Sequence, residues 1–139
     1  MRRILSVAIA FTLAACGHDT TGPSPTPSSI PGAYNLTMVD GQALPFTVFE
    51  VGAYRATLVS GTLILHADGT YSLDLDTRID DSGNVREQTD SDAGLWNAKD
   101  DGLTLASTQR AITRTGLVSG ERITLQSSTR VLVLKKNRR

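Results

Sequence analysis

The chain has 139 residues, with 14 basic and 14 acidic side chains and a formal net charge of zero. A balanced charge gives no electrostatic reason to expect binding to nucleic acid. The only cysteine is Cys16, which excludes an intramolecular disulfide. The length that remains after a short leader suits one small domain.

The N-terminus has the features of an export signal. Arg2 and Arg3 make it positive, and residues 4–13 form an apolar run that ends in two alanines. The run has about ten residues, whereas a membrane-spanning helix needs about 20. A basic end, a short apolar run and small residues before the cleavage point are typical of secretory signals. We therefore predict a signal peptide over residues 1–15.

The sequence Leu13-Ala14-Ala15-Cys16 resembles the lipobox of bacterial lipoproteins, in which the cysteine is acylated and the chain is cut before it. The resemblance implies that Cys16 is lipid-modified and anchors the protein to a membrane. Gly17 follows, where Asp often signals inner-membrane retention in Gram-negative lipoproteins, so the resemblance implies the outer membrane and leaves its side open. The alternative is an ordinary cleaved signal with a chance cysteine.

A linker follows the lipobox. Over residues 16–31, four prolines alternate with serine and threonine, and nothing there could build a core. Such segments are extended, semi-rigid spacers. The folded domain is predicted over residues 32–139.

The domain is predicted to be all-β. Short alternating segments are separated by glycine and aspartate turns, and none has sustained helical periodicity. Strands are predicted over residues 34–38, 44–51, 54–66, 70–76, 85–92, 94–98, 103–105, 111–118, 122–126 and 130–135. This pattern indicates an antiparallel up-and-down meander of eight to ten strands, which closes into a barrel or packs as two sheets. Closure is favoured because it removes exposed edges.

Two hairpins have a predictable register. A three-residue loop over residues 67–69 pairs Leu65 with Tyr71 and Leu63 with Leu73, which places all four on one face. In the second hairpin, a four-residue loop over residues 99–102 has the same effect and sets Trp96 opposite Leu105 on one face. Residues 85–92 are polar and predict an exposed, edge-like strand.

Two short patterns resemble lipocalin-like domains. Gly32-Ala33-Tyr34 and Gly94-Leu95-Trp96 are similar to their Gly-x-aromatic strand openings, and residues 60–71 resemble a hairpin common in small bacterial lipocalin-like lipoproteins. The resemblance implies a small closed barrel over residues 32–139. A barrel of about eight strands either holds one small ligand or fills with side chains. If it holds an apolar ligand, the inward candidates for lining the site are Tyr71, Leu73, Trp96 and Leu105; the alternative is that they form the core.

No residue pattern predicts catalysis, a metal site or a cofactor. The two histidines, His18 and His66, lie in the linker and beside a turn, with no placed nucleophile. The sequence Asp90-x-Asp92-x-Gly94 resembles part of a calcium loop but lacks the later acidic ligand. The acidic residues between 74 and 101 are therefore predicted to lie in solvated turns and on outer faces.

The expected function is that of a non-enzymatic, lipid-anchored envelope protein whose barrel binds a small apolar molecule. The competing interpretation is an interaction or structural module with a filled barrel and no ligand. The basic tail over residues 135–139 is either a solvated end or a contact for acidic headgroups.

Overall fold

A computed structural model describes residues 30–138. The predicted signal peptide, Cys16 and nearly all of the predicted linker lie outside these residues. The described part contains ten strands and no helix: β1 (Gly32–Val39), β2 (Gln42–Ala43), β3 (Phe46–Val51), β4 (Tyr54–Leu65), β5 (Thr70–Asp81), β6 (Asn84–Lys99), β7 (Gly102–Ser107), β8 (Thr113–Ser119), β9 (Arg122–Ser127) and β10 (Arg130–Lys136). The all-β prediction is confirmed. Within residues 30–138 nothing forms a helix that is long and apolar enough to cross a membrane.

The sheet closes into an eight-stranded antiparallel barrel. From β3 to β10 each strand pairs with the next, and β1 pairs with both β10 and β4. The barrel therefore consists of β1 and β4–β10. The two remaining strands are attachments, since β2 pairs with β1 and β3 pairs with β4. The predicted meander and its closure are confirmed.

Both predicted hairpin registers are confirmed. Leu65 lies opposite Tyr71, Leu63 opposite Leu73, and Trp96 opposite Leu105. Gly69 has a φ of 86°, the left-handed conformation that the first turn requires. The Asp68 carboxylate also accepts a hydrogen bond from the Thr70 amide at 2.9 Å. Local turn chemistry therefore sets the register.

Two local predictions differ from the structure. Residues 85–92 and 94–98 belong to one strand, β6, because β5 pairs with it without a break from Asn84 to Leu95. Gly94 is needed there for close approach, since a Cβ would lie 2.0 Å from the Ala106 carbonyl oxygen. A glycine within a long strand, such as Gly61, predicts a bulge or bend, but Gly61 pairs regularly with Leu75 and the register shift falls between Leu58 and Ser60.

The two ends of the barrel differ. The turns after β4, β6 and β8 and both ends of the described chain lie at one end, the closed end. There Ile30 is buried, and the Tyr34 hydroxyl donates a hydrogen bond to its carbonyl oxygen at 2.6 Å. The turns after β5, β7 and β9 lie at the other end, the mouth. Most of the apolar core fills the interior toward the closed end: Tyr34, Leu63, Leu65, Leu73, Leu103, Leu105, Val118, Ile123, Leu125 and Leu134.

Four strands extend past the mouth as a projecting sheet, the wing. It consists of β3 and of residues 54–58, 77–81 and 84–90 of the next three strands. In this region β7 does not reach β6, because β7 pairs only with Gly94–Lys99. Residues 84–91 are accordingly exposed, as their polarity predicts.

Candidate binding site at the mouth of the barrel

A polar layer crosses the interior below the mouth. Five consecutive strands, β5 to β9, each contribute one side chain: Tyr71, Asp92, Ser107, Arg114 and Ser127. Asp92 and Arg114 are only 5% and 6% exposed. Since successive strands of the barrel each supply one group, the layer depends on strand order and register.

The Asp92 carboxylate is the centre of this layer. It forms an ion pair with the Arg114 guanidinium and accepts hydrogen bonds from the Tyr71 hydroxyl at 3.0 Å and the Ser107 hydroxyl at 2.5 Å. Arg114 also donates through Nε to the Ser127 hydroxyl at 3.2 Å. Within residues 30–138, no buried side-chain nitrogen or oxygen lacks a hydrogen-bond partner. The buried charges are thus compensated inside the barrel.

These contacts keep Asp92 ionised. Burial by itself would raise the pKa of the carboxyl, but hydrogen bonds from Ser107, Arg114 and Tyr71 outweigh burial and lower it. The pKa of the Tyr71 hydroxyl is raised, first by burial and then by the adjacent carboxylate. A phenol and a carboxylate shifted in these directions hold their protonation states near neutral pH, which suits a fixed polar layer.

The prediction that Asp92 lies in a solvated turn or on an outer face is wrong. The residue belongs to β6 and faces inward, as does Trp96 four residues later, because alternate strand residues share a face. Side chains on one face of a strand recur every two residues, so the predicted inward position of Trp96 already implied that Asp92 faces inward. The polarity of residues 85–92 obscured this implication, since most of that segment belongs to the exposed wing.

A second ion pair, between Arg110 and Asp90, lies nearer the mouth, two residues before Asp92 on β6. Arg110 makes a bidentate contact with Asp90, in which Nη1 lies 3.2 Å from Oδ2. The hydrogen bond from Arg110 lowers the pKa of the Asp90 carboxyl. The side chains are 39% and 51% exposed, so this pair, unlike the Asp92–Arg114 pair, is reached by solvent.

The mouth contains a cavity of about 300 Å³. Its apolar lining comes from Val48, Leu58, Leu75 and Leu132, and its polar lining from Thr77, Asp90, Ser127, Ser128, Thr129 and Arg130. Ser127 belongs both to this lining and to the polar layer, so the cavity begins where the layer ends. An apolar surface with a few polar groups is the usual construction of a small-molecule site.

A flap, defined as residues 40–51, is fixed against one side of the cavity by Arg130. The guanidinium donates to the Asp40 carboxylate and to the Val48 carbonyl, each at 3.0 Å. It also lies 5.0 Å from the centroid of the Phe46 ring. Asp40 in turn accepts a hydrogen bond from the Val131 amide at 2.8 Å. The side of the cavity is therefore held by several directional contacts.

The four residues predicted to line a ligand site all face the interior but lie away from this cavity's lining. Tyr71, Leu73 and Leu105 are buried in the packed core. Trp96 is half-buried near the closed end, where its indole N–H donates to the His66 carbonyl oxygen at 2.8 Å. Their role in ligand binding stays a prediction.

Among residues 30–138, no three His, Cys, Asp or Glu side chains are grouped so that they could hold a metal ion. No protein-family model matches the chain, and no curated protein or solved structure shows significant similarity to it. What the molecule binds must therefore be inferred from its own residues.

Proposed function

We propose that the chain is a non-enzymatic, lipid-anchored protein of the bacterial cell envelope whose barrel binds a small amphipathic molecule in the mouth cavity. The observation that carries the proposal is the cavity of about 300 Å³, with its leucine-rich surface and polar rim, at one end of a closed barrel. Small-molecule sites begin at about this volume, and eight-stranded barrels include proteins that hold one small ligand.

The charges at the mouth favour an uncharged ligand. Asp90 is paired with Arg110, and Arg130 is paired with Asp40. A charged ligand would lose its hydration without a free counter-charge in the cavity, which is costly. The hydroxyls of the Ser127–Thr129 turn suit a ligand with an apolar body and a hydroxyl or carbonyl end.

The anchor proposal is supported by the lipobox at residues 13–16. The chain enters the barrel at Ile30, at the closed end. A lipid on Cys16 would therefore be joined to the domain at the closed end, opposite the mouth. Two or more acyl chains make such anchoring stable, since each buried CH₂ contributes about 0.8 kcal/mol.

The ligand is tested by native mass spectrometry of the protein purified from its own cells. A co-purifying small molecule is expected on the wild type and on Trp96→Phe, and it should be lost from Leu75→Trp, whose indole would occupy the cavity. If Leu75→Trp keeps the bound molecule and Trp96→Phe loses it, the binding site is instead at the core residues that the sequence predicted. No bound molecule on any of them would count against ligand binding.

The anchor is tested separately. Cys16→Ala should abolish acylation, so the protein should no longer partition into detergent as a processed lipoprotein. A variant that is still processed, acylated and detergent-soluble would refute the lipobox interpretation.

The alternative function, an interaction module, is favoured by one observation. Phe49 and Val51 on the wing are 54% and 61% exposed, which is high for large apolar side chains. This alternative predicts that Phe49→Ser abolishes capture of an envelope partner while Leu75→Trp leaves capture intact.

A further inference from the structure

We propose that the outer surface of β1, β10 and β9 at the closed end docks onto an anionic lipid surface. This surface, the basic face, is defined by Arg122, Lys135 and Arg138; Lys136 instead extends over the closed end, with its ammonium 5.6 Å from the centroid of the Tyr34 ring. The proposal rests on the proposed anchor only for the step that brings the domain to a membrane.

An unfavourable charge pair marks the basic face. Lys135 and Arg122 lie directly opposite each other in the β9–β10 register, and both are exposed. Like charges in that position destabilise a sheet. Within residues 30–138, no carboxylate forms an ion pair with either of them. An anion supplied from outside would relieve this repulsion.

The acidic residue beside Arg122 does not neutralise the face. Glu121 is bound by Arg138, whose Nε and Nη2 lie 3.0 and 2.8 Å from the carboxylate. The hydrogen bond from Arg138 lowers the pKa of Glu121, and attraction to Lys135 and Lys136 adds to the effect. One carboxylate thus faces several cations, and the surface keeps a positive excess.

A shallow groove of about 390 Å³ runs along this surface. It is lined by Asn35, Thr37, Lys135, Lys136, Asn137 and Arg138. Ammonium, guanidinium and amide groups of this lining are donors that bind phosphate oxygens, whereas the Thr37 hydroxyl donates to the Val133 carbonyl oxygen. The groove therefore has the chemistry of a lipid phosphate site.

An exposed apolar side chain lies next to the cations. Leu117 is 63% exposed and pairs with Thr124, two residues from Arg122 on the same outer face. Cations together with exposed apolar side chains are typical of surfaces that lie in the membrane interface.

The proposed tether places this surface near headgroups. Ile30 lies 14 residues after Cys16, and an extended proline-rich segment of that length reaches about 40 Å. Lys135 lies near the end of the last barrel strand, β10, and Arg138 follows that strand at the same closed end. Polybasic segments held near an anionic membrane surface are attracted to it.

The opposite side of the barrel supplies an internal control. Of the chain's three lysines, Lys135 and Lys136 end β10, and Lys99 lies on a different strand. It ends β6, which is four strands from β10 in either direction around the eight-stranded barrel. Asp100 and Asp101 follow it, so that side carries no positive excess.

The test is amine labelling of the full chain on vesicles, with mass spectrometry at each lysine. Vesicles contain phosphatidylcholine alone or mixed with anionic phosphatidylglycerol. Lys135 labelling should fall several-fold on the anionic vesicles and recover in high salt, which screens the attraction, while Lys99 labelling should not change. Arg122→Gln should weaken the protection, and Arg78→Gln, on the exposed wing, should leave it intact.

Equal labelling of Lys135 on both vesicle types, or an equal decrease at Lys99, would overturn the docking proposal. A different result would contradict the anchor proposal: the chain would carry no acyl groups and would not be recovered with either vesicle type. In that case the same labelling with vesicles in excess still decides whether the basic face binds anionic lipid.

Discussion

The two halves of the barrel interior follow the same two-residue alternation but are filled differently. Toward the closed end the inward positions are leucine and other apolar residues that pack together as a core. Toward the mouth the Asp92–Arg114 layer interrupts the packing, and a cavity of about 300 Å³ follows. The comparison shows how a barrel too narrow to be hollow throughout can still keep a recess at one end.

Apolar side chains could fill this part of the barrel interior at least as stably as the polar layer does. Removing two charges from water costs several kcal/mol per ion, and apolar replacements of buried ion pairs are often as stable. The structure supplies Asp92 with three donors and Arg114 with two acceptors, which offsets much of the cost. Ser127 belongs both to the layer and to the cavity lining, so the layer forms one boundary of the cavity.

The largest effect should come from breaking the buried pair. Arg114→Leu leaves the Asp92 carboxylate buried without its counter-charge, and we expect a loss of about 3–5 kcal/mol in the free energy of unfolding. Urea denaturation measures it. The matched control is Arg110→Leu, which breaks the solvent-reached pair with Asp90 and should have little effect. Similar losses in both variants would show that the two pairs do not differ as described.

The closed half is tested by a cavity in its core. Leu73→Ala should lower the free energy of unfolding by about 2–5 kcal/mol, because it removes apolar burial and leaves a void. Ser72→Ala, on the opposite face of the same strand, should cost less than about 0.5 kcal/mol. Chemical denaturation of both variants measures the difference, and equal losses would contradict the observed register.

The smallest effect should appear in the dependence on pH. Since the folded-state pKa of Asp92 is lowered, its contribution is present above the unfolded value of about 3.9 and is lost as the pH falls through the folded value. The double variant Asp92→Leu/Arg114→Leu lacks this group. Below about pH 4 the wild type should therefore lose more free energy of unfolding than the double variant does, so the difference between them should shift in favour of the variant.

The control for this experiment is the pH range from 5 to 7, where the gap between the two proteins should be constant. Curves that stay parallel down to pH 2 would mean that the pKa of Asp92 is unchanged by folding. Asp76, another carboxyl with a lowered pKa, is held by Ser60 and Thr89 in both proteins and cancels in the comparison.

The sequence predicted those parts of the fold that depend on neighbouring residues. The turn at Asp68 and Gly69 and the alternation on either side of it determine which residues pair, so the register of Leu63 with Leu73 was readable. The same reasoning placed Trp96 opposite Leu105. It missed the inward position of Asp92, because polar composition was taken as exposure and only the continuation of β6 into the barrel shows otherwise.

By itself, then, the sequence determined the all-β class, the strand order along the chain and the two hairpin registers, since turn geometry and side-chain period act over a few residues. Only the tertiary structure decided that β1 meets β4 and that Asp92 meets Arg114, 22 residues away. Those contacts depend on how the whole sheet twists and closes. The mouth cavity and the like-charged pair on β9 and β10 arise from the same closure, which brings together side chains that no local pattern connects.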